Sequence, residues 1–290
     1  MGASNEKIVN WSIFISLAAI WGSSFILMKE GMKMLTATQV ASLRILSAAL
    51  VLMPVAINKL RTVDRRSAGW IILSGILGNL LPAYLFCVAE TKIDSSLAGF
   101  INAFTPVFTL LMGVLIFRNH FEKNKLTGIL TGFAGMCILF FSKDEAGISH
   151  VGYSGLVVLA ALSYALNANM VGRYLKGAGA LTITSIGVVS MMLPAGIILV
   201  LSGFFQLPVM NKERVISITA SVFLGIMGTA ISTVFFYYLL KRAGAVFASM
   251  VTYAIPFVAL FWGLMAGENI GLLQIAGLLA LLAGVWMASR

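Results

Sequence analysis

Three groups of polar residues recur at helical spacing inside long apolar runs. Asn102, Thr105, Pro106 and Thr109 stand at i, i+3, i+4 and i+7. Ser249, Thr252, Tyr253 and Pro256 repeat that spacing, as do Thr229, Ser232, Thr233 and Phe236. Such spacing puts each group on one helix face. Elsewhere, Trp21 and Ser24 share one run, Asn79, Pro82 and Tyr84 another, and Ser163, Tyr164 and Asn167 a third, with Asn169 on a different face. In lipid each such group needs a protein partner or water. The chemistry these residues can do is non-covalent: hydroxyls and amides offer hydrogen bonds, aromatic rings offer stacking. An amide needs several partners, so Asn79, Asn102 and Asn167 are stronger candidates than any Ser or Thr, which can bond back to its own helix. Pro106 and Pro256 each remove a helix hydrogen bond near mid-run and should free the carbonyls of Asn102 and Thr252 as helix-break or gating points. The alternative for every stripe is interhelical packing without substrate contact.

Covalent chemistry is poorly supplied. His120 and His150 lie in polar connections, no Asp or Glu stands near the middle of an apolar run, and Glu90 is at the end of one. That leaves no catalytic acid–base set and no obvious proton relay. Cys87 and Cys137 both fall in apolar runs and read as small buried hydrophobes, not as a disulfide or metal pair. A phosphate-cradling GxxxxGK loop is missing, so ATP is not the expected energy source. Neither a cofactor nor a metal is called for.

The elements that carry these residues must be transmembrane helices. Of 290 residues, 60% are hydrophobic and 10% charged, where a soluble domain carries about 25% charged residues. Runs of about 20 apolar residues span a bilayer core as helices, the form in which the backbone satisfies itself. Ten spans are expected: Asn10–Met28, Ala37–Ile57, Ala68–Val88, Ser95–Phe117, Asn124–Ser142, Tyr153–Val171, Ala180–Ser202, Ile216–Leu240, Ala245–Ala266 and Gly271–Ala288. The first reads as a span and not a cleaved signal, because many others follow it. Trp11, Trp70 and Tyr153 sit near span ends, as interfacial anchors do. The net charge of +10 does not indicate nucleic acid, since the basic residues lie in the connections. They alternate: Lys59, Arg61, Arg65 and Arg66 follow span 2, Arg118, Lys123 and Lys125 follow span 4, and Lys241 and Arg242 follow span 8. Placing those connections inside puts both termini in the cytoplasm of a multi-pass protein of the plasma (cytoplasmic) membrane. Arg44, inside span 2, is expected to snorkel or to make a structural pairing, ahead of contact with an anionic substrate.

The chain repeats. Thr105-Pro106, Gly113, Gly128 and Gly135 are answered by Ile255-Pro256, Gly263, Gly277 and Gly284. Five spans per repeat is an odd number, so the halves, 1–147 and 148–290, should enter the membrane from opposite sides. Gly128 with Gly132, and Ala280 with Gly284, form small-xxx-small pairs suited to close helix packing or to a homodimer.

Together these segments resemble a known family. Trp21-Gly22-Ser23-Ser24-Phe25, Arg44, the stretch from Ala98 through Pro106 to Gly113, and Gly267-Glu268 followed by Gln274, Gly277 and Gly284 are similar to the motifs of the EamA-type drug/metabolite transporters. One departure is Arg118-Asn119, where the first repeat of that family usually has an acid. The resemblance implies ten transmembrane helices as two inverted repeats around a central cavity. It also implies a secondary transporter of small organic metabolites, by efflux in many members. Amide and aromatic groups suit amino acids, aromatic metabolites or drug-like solutes better than multivalent anions. Expected partners are a small-molecule substrate and membrane lipid. Expected substrate-binding residues are Trp21, Ser24, Asn79, Tyr84, Asn102, Thr105, Tyr164, Asn167, Ser232, Thr233, Thr252 and Tyr253. The rival readings are a ligand- or lipid-binding membrane protein without flux, a channel, and an intramembrane lipid-modifying enzyme.

Overall fold

A computed structural model describes residues 3–119, 123–141, 151–206, 211–265 and 271–288. Among them there is no strand. Helix α1 spans Ala3–Met32. Helix α2, Ala37–Leu60, starts at a capping box in which Thr36 and Gln39 satisfy each other's backbone N–H. Helix α3, Arg65–Ala89, starts where the Asp64 carboxylate accepts from the Ser67 N–H. Helix α4 has two parts, Ser95–Asn102 and Thr105–Leu115. Then come α5, Lys123–Phe141, α6, Val151–Tyr174, and α7, Ala180–Leu201. Helix α8, Lys212–Ser249, turns sharply at Gly244, whose φ of 87° is open to glycine and strained for other residues. Helices α9, Val251–Met265, and α10, Leu272–Ala288, complete the order.

Seven of these stretches are long and apolar enough to cross a membrane: α1, α2, α3, α4, α6, α7 and α8. In α5, the apolar part is the shorter Lys125–Leu139, and α10 is likewise short. At 1.5 Å per residue, the 17 residues of α10 span less than the roughly 30 Å of a bilayer core. The ten spans expected from the sequence are thus not all matched by length. The boundary of the two expected halves and Gly267-Glu268 lie outside the described residues.

Large apolar side chains face outward, Leu201 at 81% and Leu272 at 86% exposure. Small and hydroxyl residues face inward: Ser42, Ala48, Ala160, Ser185 and Ser221 are all fully buried. This inside-out pattern is what a lipid solvent selects, because apolar surface gains nothing there by burial and small residues let backbones approach.

Neighbours are set by those contacts. Helix α5 lies along α10, and α2 along α7. Helix α3 packs on α6 and α1 on α8; α4 packs on α6 and α1 on α9. Hydrogen bonds tie the ends together. At one end Arg242 Nε donates to Asn10 Oδ1 at 2.8 Å, Lys241 Nζ to the Leu175 carbonyl at 2.6 Å, and Arg173 to the Phe117 carbonyl. At the other, Ser217 Oγ donates to the Glu30 carbonyl at 2.8 Å and Gln39 Nε2 to the Ser202 carbonyl at 3.0 Å.

Candidate functional site

Four irregularities in the helices surround one cavity. Helix α3 widens into a π turn at Ile76–Leu80 and α8 into another at Ile226–Ile231. Helix α4 is broken between Asn102 and Thr105, and the chain breaks again at Met250 between α8 and α9. Regular helices hide their polar backbone; π turns and breaks expose it, which is why such features gather at functional sites. The space they enclose is partly open and amounts to about 800 Å³ with its open side included.

Its lining takes residues from seven helices. Helix α1 gives Trp21, Ser24, Phe25 and Met28, and α2 gives Arg44. Gly78 and Phe86 come from α3, Asn102 and Thr105 from α4. Tyr164, Asn167 and Ala168 belong to α6; Thr233, Phe236, Tyr237 and Ser249 belong to α8, and Thr252 and Ile255 to α9. Eight of the residues expected from the sequence to bind substrate are therefore brought together: Trp21, Ser24, Asn102, Thr105, Tyr164, Asn167, Thr233 and Thr252.

The other four lie off the lining, where three of them tie helices together. The Asn79 Oδ1 accepts from Thr233 Oγ1 at 3.1 Å, joining α3 to α8 behind the cavity. The Tyr84 hydroxyl is 2.6 Å from Ser42 Oγ on α2. The Tyr253 hydroxyl donates to the Ile129 carbonyl at 3.1 Å, and its ring covers Gly132 on α5. Ser232 is fully buried and its Oγ has no partner among the described residues.

Pro106 does not act as an interior helix breaker. It falls in the first turn of the second part of α4, where its missing N–H costs nothing. The Asn102 carbonyl, expected to be free, accepts from Thr105 Oγ1 at 2.6 Å. Pro256 does lie inside its helix, α9.

Behind the lining, a polar network holds α3, α6 and α8 in register. Asn167 Nδ2 donates to the Tyr237 hydroxyl at 3.0 Å, and that hydroxyl is 2.7 Å from Ser74 Oγ. Gly78 makes room for it, since a Cβ there would meet Asn167 Nδ2 at 2.4 Å. Asn167 Oδ1 is buried without a partner among the described residues. Asn169, on the face assigned no role, donates to the Thr109 and Ala165 carbonyls at 2.9 and 3.0 Å and so locks α6 to α4.

Sequence reasoning passed over Tyr237, left Arg44 between snorkelling and a structural pairing, and gave Glu90 no role. Tyr237 stands one turn beyond Thr233, a spacing that could have flagged it. Arg44 does not snorkel: it is 9% exposed and makes the structural pairing, with Nε donating to Thr229 Oγ1 at 2.8 Å and Nη2 to the Gly228 carbonyl at 3.3 Å. Trp21 Nε1 donates to that same carbonyl at 3.3 Å, so the π turn of α8 anchors both. Glu90, one turn beyond Phe86, is 7% exposed at the end of α3. Burial pushes its carboxyl up to about 8, against the opposing pull of Lys29, a hydrogen bond from Ser95 and Arg44.

The hydroxyls, amides and rings of this lining can offer hydrogen bonds and stacking to a small solute. Groups of three or more His, Cys, Asp or Glu placed to hold a metal are absent among the described residues. Comparison with known proteins finds relatives that are named as transporters. The chain is 24% identical over 282 residues to an "uncharacterized transporter" of Archaeoglobus fulgidus, covering 97% of this chain and 98% of that one. It is 23% identical to a "probable amino-acid metabolite efflux pump" of Salmonella typhimurium, over 93% of this chain and 91% of the relative. An "S-adenosylmethionine/S-adenosylhomocysteine transporter" of Chlamydia muridarum is 25% identical, over 95% of this chain and 90% of its own length. The EamA-like transporter family matches residues 10–141 and 153–290, and this chain, with its long apolar helices, belongs to that family.

Proposed function

We propose that this membrane transporter is a secondary carrier of small organic metabolites, with amino-acid-like compounds the best-supported class, working by alternating access between two inverted five-helix halves. The observation that carries the reading is the cavity, which gathers hydroxyl, amide and aromatic groups from seven helices beside the interruptions of helix geometry. In this reading the eight lining residues named above contact the substrate, while Asn79, Tyr84 and Tyr253 support the helices that present them and Ser232 is buried behind the lining. Pro256 and the break before Pro106 are the gating points.

The contact pattern supports the inverted repeat. Exchanging α1 with α6, α2 with α7, α3 with α8, α4 with α9 and α5 with α10 turns each of the six neighbouring pairs named above into itself or into another of the six. Chain direction supports it too. Helix α1 runs from the end holding Asn10 to the end holding Glu30, whereas α6 ends beside Lys241 and Phe117, the Asn10 end. Helices α2 and α7 are opposed in the same way, through Gln39 and Ser202. The Asn10 end also collects Lys59, Arg61, Arg65, Arg173, Lys176 and Arg242, which favours its being cytoplasmic in the plasma membrane. Two of the relatives are named for amino-acid metabolites and for S-adenosylmethionine, solutes that carry amino-acid groups.

Counterflow in proteoliposomes tests the reading. Purified protein should accelerate exchange of one class among amino acids, nucleobases, sugars and cationic dyes; no acceleration of any class would remove it. Topology has its own check. Cysteines placed at Ser67 and Ala178, which border one surface depression, should resist an impermeant reagent outside intact cells and react after permeabilisation.

A further inference from the structure

Arg44 lines the cavity from α2 at 9% exposure. A buried guanidinium is costly unless acceptors or a counter-charge replace its water. Its five N–H donors find two acceptors, Thr229 Oγ1 and the Gly228 carbonyl, both on the π turn of α8. Those bonds fix the plane of the group and leave one edge unused. Nη1 has no hydrogen bond to any described residue, and it is not among the buried atoms sealed off from open space. The charge is also unpaired: among the described residues the salt bridge present is Lys33 to Glu30, far along α1. Glu90 is the acid that bears on Arg44 electrostatically, but it forms no ion pair, and Lys29 stands on the same side. Tyr164 is a second lining group whose hydroxyl has no described hydrogen-bond partner, and it lies within electrostatic reach of Arg44. Around them Trp21, Phe25, Phe86 and Phe236 make an apolar, aromatic wall.

We propose that Arg44 is the docking point for a substrate carboxylate, so that the cavity selects small monocarboxylates with an apolar or aromatic body. A guanidinium edge takes both oxygens of a carboxylate in parallel hydrogen bonds. The missing counter-ion of Arg44 is then the substrate itself. One available cation accounts for one carboxylate and disfavours multivalent anions, which would remain uncompensated. The proposal rests on the transporter reading for its meaning but makes a separate claim about binding.

The test pairs a binding measurement with a flux measurement on the purified full chain. The probes are 3-phenylpropanoate, L-phenylalanine, L-phenylalanine methyl ester and phenylethylamine. Thermal-shift titration of the wild type should show the two carboxylates binding about tenfold or more tightly than the ester and the amine, the scale of losing one charged hydrogen-bonded contact. Arg44→Gln should erase that preference, and Arg44→Lys should restore part of it as a point charge without the fork. Where Arg44→Gln does not fold, Thr229→Val and competition by 3-phenylpropanoate against 3-phenylpropanol on the wild type decide instead. Thr229→Val should weaken the carboxylates selectively, and only the acid should compete. Equal binding of acid and ester, or no binding by any probe, overturns the assignment. Counterflow of the probes without carboxylate preference overturns it and leaves the transporter reading standing. Carboxylate-selective binding with no flux of any probe keeps Arg44 and removes the transporter reading.

Discussion

The α5–α10 seam and the cavity are built on opposite principles. Along the seam, backbones touch. A Cβ on Gly284 would meet the Gly132 nitrogen at 2.4 Å, and one on Gly128 would meet the Gly284 carbonyl at 2.6 Å. Gly135 and Gly277 approach one another's backbones almost as closely, with Cβ distances of 2.7 and 2.9 Å. These glycines are used within the chain, between its two sequence repeats. At the cavity the same bundle keeps helices apart with rings and amides, interrupts their hydrogen bonding, and leaves Asn167 Oδ1 without a partner among the described residues. In lipid there is little hydrophobic drive between helices, so close packing must supply cohesion in one region for another to stay open. The seam is the part that can hold still, and the cavity is the part whose polar groups can change partners.

That contrast makes substitutions separable. The largest effect should come from the seam. Gly284→Leu inserts a side chain against backbone, which no rotamer relieves, and should cost about 3 kcal/mol or more. The protein should fail to elute as a single species or should unfold far below the wild type in a thermal melt. A wild-type melt for Gly284→Leu would mean that the seam is not the cohesive region. Next is Tyr237→Phe. Removing the hydroxyl strands Ser74 and Asn167, which should cost on the order of 1–3 kcal/mol and also lower counterflow, because Asn167 loses its anchor.

A change in pH should have a reversible effect through Glu90. Its carboxyl is raised from 4.5 to about 8 in the folded protein, chiefly by burial. The folded state therefore binds the proton more tightly than the unfolded state. The resulting stability is complete below about 4.5 and is lost as pH rises towards 8. Melting temperature should fall across that window and then level off, and Glu90→Gln should flatten the slope. A slope unchanged in that variant would place the titration elsewhere. Smallest in stability is Thr105→Val, which uncaps the Asn102 carbonyl for about 1 kcal/mol or less. Its flux should nonetheless drop, since Thr105 lines the cavity. Loss of folding with no separate flux effect would erase the distinction between the two regions.

Helical class, membrane solvent, family and the glycine matches between the repeats were all legible in the residues. They depend on run length, composition and local spacing, quantities a linear chain carries. The three hydroxyl and amide stripes were legible for the same reason, and members of each reached the cavity wall. What could not be read was which polar residue faces the hollow and which ties helices together. Asn79 and Tyr84 straddle the end of the π turn at Ile76–Leu80. A π turn inserts extra chain, so faces counted at 3.6 residues per turn slip across it. Pro106 looked like an interior break because the earlier interruption at residues 103–104 has no composition signal of its own.

By itself the sequence determined that this is a helical membrane protein whose helices carry hydroxyls, amides and one arginine at depth, because insertion into lipid tests each segment separately. Tertiary structure alone decided that Arg44 meets the π turn of α8 with an edge unused, and that Gly128 and Gly284 meet each other. Both depend on how far apart helices distant in sequence come to rest. That separation is set by the packing of the whole bundle and leaves no trace in local spacing.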